Sequence, residues 1–302
     1  MLFFQTVLFG GYAYAHLLSR RPPAAQAVTQ MVVIAAALAL LPIVPAASWK
    51  PTGTEQPTLQ IIKLLLASVG LPFFVLSSTG PLLQAWFSRT HVGVSPYRLY
   101  ALSNAGSLLA LISYPFAFEP SFELPVQAKL WSAGFLVYAA GCAVCAWSLR
   151  KVPETEGSAT AESAAAYASA EKPTVTQGVL WFTLPMAASI MLLATTNQVC
   201  MDVAAVPFLW VVPLALYLLS FILCFDSDRW YSRWAFAVAM VGSMATVCKV
   251  LRMGVNAGLF VQIFVYFSSL FFCTMFCHGE LVRLKPHPRY LTKFYLFISA
   301  GG

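Results

Sequence analysis

The sequence predicts an all-α, polytopic membrane helical bundle of about ten spans in two halves. Two observations lead there. Hydrophobic residues fill 59% of the 302 positions while Asp, Glu, Lys and Arg fill 10%, against roughly a quarter charged in soluble domains. A chain of that composition cannot cover itself with polar surface in water. The apolar residues also fall in long runs, with one long polar interruption between two sets of five.

A helix needs about 20 apolar residues to cross the hydrocarbon core. Segments 1–18, 27–47, 59–86, 97–118, 125–149, 177–202, 206–225, 231–248, 256–280 and 290–302 qualify or nearly qualify. The first begins on Met1-Leu2-Phe3-Phe4 with no polar lead, and the last stops at Gly301-Gly302 after a short apolar run. The chain therefore reads as a piece of a longer protein. A signal peptide is the competing reading of the first run, through Ala13-Tyr14-Ala15, but no basic residues precede it and Arg20 and Arg21 lie on its wrong side.

Orientation follows from the basic residues. Loops 19–26, 87–98, 150–176, 226–233 and 281–293 fall on one side of the membrane and hold 13 of the 18 Lys and Arg; the other side, with Lys63, Lys129 and Lys249 at its edge, holds 5. Basic loops stay in the cytoplasm. Residue 1 is thus expected outside and the linker 150–176 inside. A missed or invented helix would scramble the alternation.

That linker, rich in Ala, Ser, Glu and Thr, holds no apolar run and is expected to be flexible and solvated. It divides a first transmembrane bundle, 1–149, from a second, 177–302.

The net charge of +7 is the loop bias that orients the helices, so nucleic acid is not an expected partner. Most of the seven cysteines lie inside apolar runs, where Cys acts as a small packing residue. Cys273–His278, CTMFCH, carries one residue too many for a haem-attachment motif, and Cys142 and Cys145 have no His or carboxylate beside them. Neither a metal nor a cofactor is expected. No phosphate loop, dinucleotide fingerprint, HExxH or GxSxG occurs, so this chain is not expected to be an enzyme by itself.

Polar side chains in hydrocarbon are costly and face other helices or a water-filled cavity. Tyr97, Tyr100, Asn104, Ser107 and Tyr114 share one face of the fourth run, and Gln262, Tyr266, Ser269, Cys273, Cys277 and Glu280 share one face of the ninth. Both stripes are expected to point inward, either to hydrogen-bond between helices or to line a polar pathway. Near the outer end of the sixth run, Asn197 and Gln198 precede Asp202; the acid either meets outer water or joins those amide oxygens around a cation. Lys63, Lys249 and Arg252 are placed to snorkel. His278 and Glu280, at the cytoplasmic end of the ninth run, read as interfacial anchors, the alternative being groups whose protonation couples to movement. Gly70/Pro72, Gly80/Pro81, Pro185 and Pro213 permit kinks.

Several strings resemble one family. VPFLWVVPLALYLLSFILCF (206–225), the preceding TTNQVCMDVAA and CHGELVRLKPHPRYLTKFYLFISAGG (277–302) resemble the membrane part of bacterial fused major-facilitator/spermidine-synthase-like proteins, as do MLFFQTVLFGGYAYAHLL (1–18) and PYRLYALSNAGSLLALISYPF (96–116). The resemblance implies a major-facilitator layout, a further helix before residue 1, and a soluble aminopropyltransferase-like domain after residue 302. The Gly-Arg-Arg-Gly loop signature of major-facilitator transporters is not in the chain.

The functional expectation is a transporter-like domain for a small polar or cationic, polyamine-like metabolite, lined by Tyr100, Asn104, Asn197, Gln198, Asp202, Gln262 and Glu280. The alternative is a membrane scaffold, either an anchor for a soluble synthase-like domain or an accessory subunit of a larger membrane complex. The expected partners are membrane lipids and one of these ligands or subunits.

Overall fold

The computed structural model describes residues 2–44, 57–91, 94–150, 171–203 and 209–302. Its helices are α1 (Leu2–Leu18), α2 (Pro23–Leu38), α3 (Thr58–Thr90), α4 (Arg98–Ser121), α5 (Leu124–Leu149), α6 (Val175–Cys200), α7 (Val211–Asp226), α8 (Arg233–Met253), α9 (Leu259–Arg283) and α10 (Leu291–Gly301), and no strand occurs among the described residues. Each of the ten expected apolar runs contains one helix. Six of them, α3, α4, α5, α6, α8 and α9, are long and apolar enough to cross a membrane. Helices α1, α2 and α7 have 17, 16 and 16 residues, so at about 1.5 Å per residue each falls short of a core about 30 Å thick. The protein is thus an all-helical bundle with six helices of spanning length among the described residues.

Local sequence sets the helix starts and irregularities. Pro23 opens α2, where its missing N–H is not needed. Thr174 and Gln177 form a reciprocal capping box ahead of α6, with bonds of 3.2 and 2.9 Å. Helix α3 loosens into a π turn at Leu66–Gly70, just before Pro72, and α4 does so at Tyr114–Phe118, around Pro115. In each case the proline supplies no N–H to the ladder, and one wider turn absorbs the mismatch.

Helices assemble into two compact units that do not follow the linker boundary. The first comprises Met1–Val94, Phe118–Lys172 and His287–Ser299; the second comprises Ser95–Ala117, Pro173–Pro286 and Ala300–Gly302. Helix α4 therefore belongs mainly to the second unit and α10 mainly to the first. Within the first unit, α1 lies against α3 and α2 against α5. Gly11 permits the α1–α3 approach, since a Cβ there would sit 2.8 Å from Ser77 Cβ. The apolar core of this unit runs through Ala15, Leu82, Trp86 and Leu149 at one level and Ile34, Val75 and Phe135 at another. Within the second unit, α7 packs on α4 and α9, and α9 also packs on α6 and α8. Val199, Val250, Ala257 and Tyr266 form a core cluster there.

Each of the two exchanged helices packs away from its own half of the sequence, α4 on α7 and α10 beside α1 and α3.

Candidate functional site

Each unit buries a polar centre. In the first, Gln26 is fully buried; its Nε2 donates to the carbonyls of Ser19 and Arg21 at 3.2 and 2.6 Å, and its Oε1 accepts from Trp86 Nε1 at 2.8 Å. One turn further along α2, Gln30 Oε1 accepts from Tyr14 at 3.1 Å while its Nε2 is buried without a hydrogen bond. Thr79 and Tyr138 share a hydroxyl–hydroxyl bond, and Tyr295 from α10 donates to Gln84 Oε1 at 2.7 Å.

In the second unit the centre is His278, at 0% exposure. Its Nδ1 pairs with Ser220 Oγ at 2.9 Å, and Nε2 has no partner. Its ring stacks on Phe221, centroids 3.6 Å apart, and meets Tyr217 edge-on. Tyr217 reaches Ser189 at 3.2 Å, and Tyr100 of the exchanged α4 packs against Phe221 and Phe225. Sequence reading placed His278 as an interfacial anchor. It is instead interior, because Tyr217, Ser220 and Phe221 of α7 pack against its ring. Spacing alone held the signal: Cys277 belongs to the polar stripe, and His278 lies next to it on a helix that is buried on a wide arc.

A second polar cluster lies where loops of the second unit meet. Glu280 is held by Arg233 at 3.1 Å, by Arg283 at 3.7 Å and by the Tyr231 hydroxyl at 2.8 Å. Burial and the Glu280 carboxylate raise the Tyr231 pKa. Arg98 pairs with Asp226 at 3.0 Å and Lys285 with Asp228 at 3.9 Å, while Tyr97 donates to the Pro286 carbonyl. The ends of loops 87–98, 226–233 and 281–293, which the charge count put on one side, are thus brought together.

The lining candidates are dispersed among local roles. Asn104 is half-buried and donates to the Tyr100 carbonyl one turn back at 2.8 Å. Gln262 folds back on the loop before α9, donating to the carbonyls of Ala257 and Gly254 at 2.7 and 3.3 Å. Asn197 is exposed and Gln198 half-buried at the end of α6. Asp202 belongs to the π turn Gln198–Val203, and its side chain lies outside the described residues, as does linker stretch 151–170. The α9 stripe faces inward as expected, with Tyr266, Ser269, Cys273 and Cys277 buried. The α4 stripe does not hold along its length. Tyr97 is buried, but Ser107 and Tyr114 are exposed. Leu108, Ile112 and Phe116 instead line, with residues of α7, an apolar concavity of about 370 Å³.

No cluster of three or more His, Cys, Asp or Glu among the described residues has a metal-binding arrangement. Comparison with family models, curated proteins and solved structures found no match.

Proposed function

We propose that the chain is a multi-pass inner-membrane protein whose two units form a transporter-like domain for a small polar or cationic metabolite. What supports this reading is the exchange of α4 and α10 between the two halves, with a buried polar centre beside each exchanged helix: Gln84 with Tyr295 in the first unit, His278 near Tyr100 in the second. Polar groups buried in membrane helices pair with one another or line a polar path. The reading includes the major-facilitator layout, ten spans, a cytoplasmic linker and, through the family resemblance, a polyamine-like substrate.

A second reading rests on a different observation. Gln262 and Asn104 are satisfied within their own helix or adjoining loop and Glu280 by Arg233, Arg283 and Tyr231, as they would be in a scaffold that anchors a synthase-like domain or serves a larger complex. Flux separates the two. Proteoliposomes carrying the purified chain should take up radiolabelled spermidine or putrescine under an imposed membrane potential, saturably and above empty vesicles. Uptake no faster than in empty vesicles, from protein shown to be folded, contradicts transport of these cations and leaves the scaffold.

A further inference from the structure

His278 Nδ1 and Ser220 Oγ lie 2.9 Å apart, and the same hydroxyl donates to the Tyr217 carbonyl at 2.7 Å. A serine hydroxyl has one hydrogen to give. With that hydrogen on the carbonyl, the oxygen can only accept from the ring, so Nδ1 carries the proton of the neutral imidazole and Nε2 carries the lone pair. The opposite tautomer would give up the carbonyl bond and bury an N–H in its place. The hydrogen-bond network thus assigns the tautomer, and it sets a basic nitrogen at a fully buried position. Among the described residues nothing donates to that nitrogen.

A charge in a dry site is costly, and three features lower that cost here. Protonation at Nε2 leaves the Nδ1–H bond to Ser220 in place, so no hydrogen bond has to break. Phe221 presents its face to the ring with centroids 3.6 Å apart, and an aromatic face attracts a cation. Water can also come close. A cavity of about 420 Å³ in the same unit is bordered by the exposed Asp228, Arg283 and Lys285 and reaches the buried Cys224 and Gly279. Gly279 follows His278 directly and Cys224 lies one turn past Ser220, so the cavity extends to the neighbours of both members of the pair. The other ionisable groups around the ring are weak acids. They are Tyr217 of α7, edge-on to the ring and bonded to Ser189 of α6, Tyr100 of α4 against the far side of Phe221, Cys224 of α7, and Cys277 on α9 itself. Helix α8 contributes Arg233, which is bound to Glu280.

We infer that His278 Nε2 is a proton-binding site of the folded protein. The inference goes beyond the transport reading and does not depend on it, since the site is read without any flux. The test uses the full chain in phosphatidylcholine nanodiscs, with isotopically labelled histidine nitrogens followed by solid-state NMR as pH is lowered from about 8 to about 5, the range in which histidine changes charge. At the upper end the His278 ring should show a protonated Nδ1 and a bare Nε2. At the lower end both nitrogens should be protonated while circular dichroism and a cooperative thermal transition show the chain still folded. The signal is assigned by its loss in His278→Phe or, should that variant not fold, as the one that remains after His16→Gln, His91→Gln and His287→Gln. Ser220→Ala removes the acceptor for the Nδ1 proton, and the neutral ring should then populate the other tautomer. A neutral ring with its proton on Nε2, an Nε2 that stays bare to the acid end of the range, or protonation that comes only with unfolding would overturn the site, as would a tautomer unmoved by Ser220→Ala.

Discussion

His278 carries the sharpest contrast between a structural and a functional role at the scale of single residues. Its replacement by Phe keeps the stack on Phe221 and removes a buried nitrogen that has no partner; Ser220 retains its bond to the Tyr217 carbonyl at 2.7 Å. Removing an unsatisfied buried group together with one hydrogen bond should be close to neutral, within about 1 kcal/mol. If His278 serves flux, His278→Phe should melt with the unaltered protein yet lose uptake, and a large loss of stability would instead assign the ring a packing role. Glu280→Gln is expected to behave in the opposite way. It loses attraction to Arg233 and Arg283, both more than half exposed, while an amide can still accept from Tyr231, so it should lower stability by about 1 kcal/mol without a selective loss of flux. Tyr231 adds a pH signature. Its pKa is raised by burial and by Glu280, so the folded state favours the protonated phenol. The corresponding stability is present below the unfolded tyrosine pKa near 10 and is lost as pH rises beyond it. Tyr231→Phe should therefore unfold less steeply above about pH 10 than the unaltered chain, as followed by circular dichroism. Polar positions were legible in the sequence, but not what satisfies them: Gln262 binds its own loop and Glu280 binds residues of two other turns, and neither pairing has a periodicity.

At the scale of elements, composition and apolar run length located the ten helices α1 to α10, because a segment that must avoid water in lipid has few alternatives to the α-helix. Boundaries set by prolines and caps were less visible. Thr174 and Gln177 close α6 by a reciprocal pair, and Thr174→Ala should cost about 1 kcal/mol in chemical denaturation. The α1–α3 crossing hinges on Gly11, whose added Cβ would come within 2.8 Å of Ser77 Cβ. Gly11→Val should destabilise the first unit by about 2 kcal/mol or more and lower the folded yield in detergent-resistance assays. The α4 stripe fails because the packing partner of α4 is α7, in the other half of the sequence. Spacing within one helix cannot name that partner.

At the scale of the whole molecule, the linker suggested two bundles divided at 150–176, whereas contact groups α4 with the second unit and α10 with the first. The exchange was not legible in the sequence, because packing partners far apart in the chain, such as α4 with α7, leave no periodicity within either helix. The charge count is checked separately by a sidedness reporter. An alkaline phosphatase inserted after Ser158 should be inactive in intact cells, and strong activity there would reverse the proposed orientation. The exchange itself has a direct consequence. A chain cut at the linker separates α4 from α7 and α10 from α1 and α3. Residues 1–157 and 158–302, expressed as separate polypeptides, are predicted to be unstable alone, and to co-purify and melt in a single transition when expressed together. Two fragments that each fold and melt cooperatively in isolation, with midpoints unchanged by the other, would contradict the exchanged architecture and remove the observation on which the transporter-like reading stands.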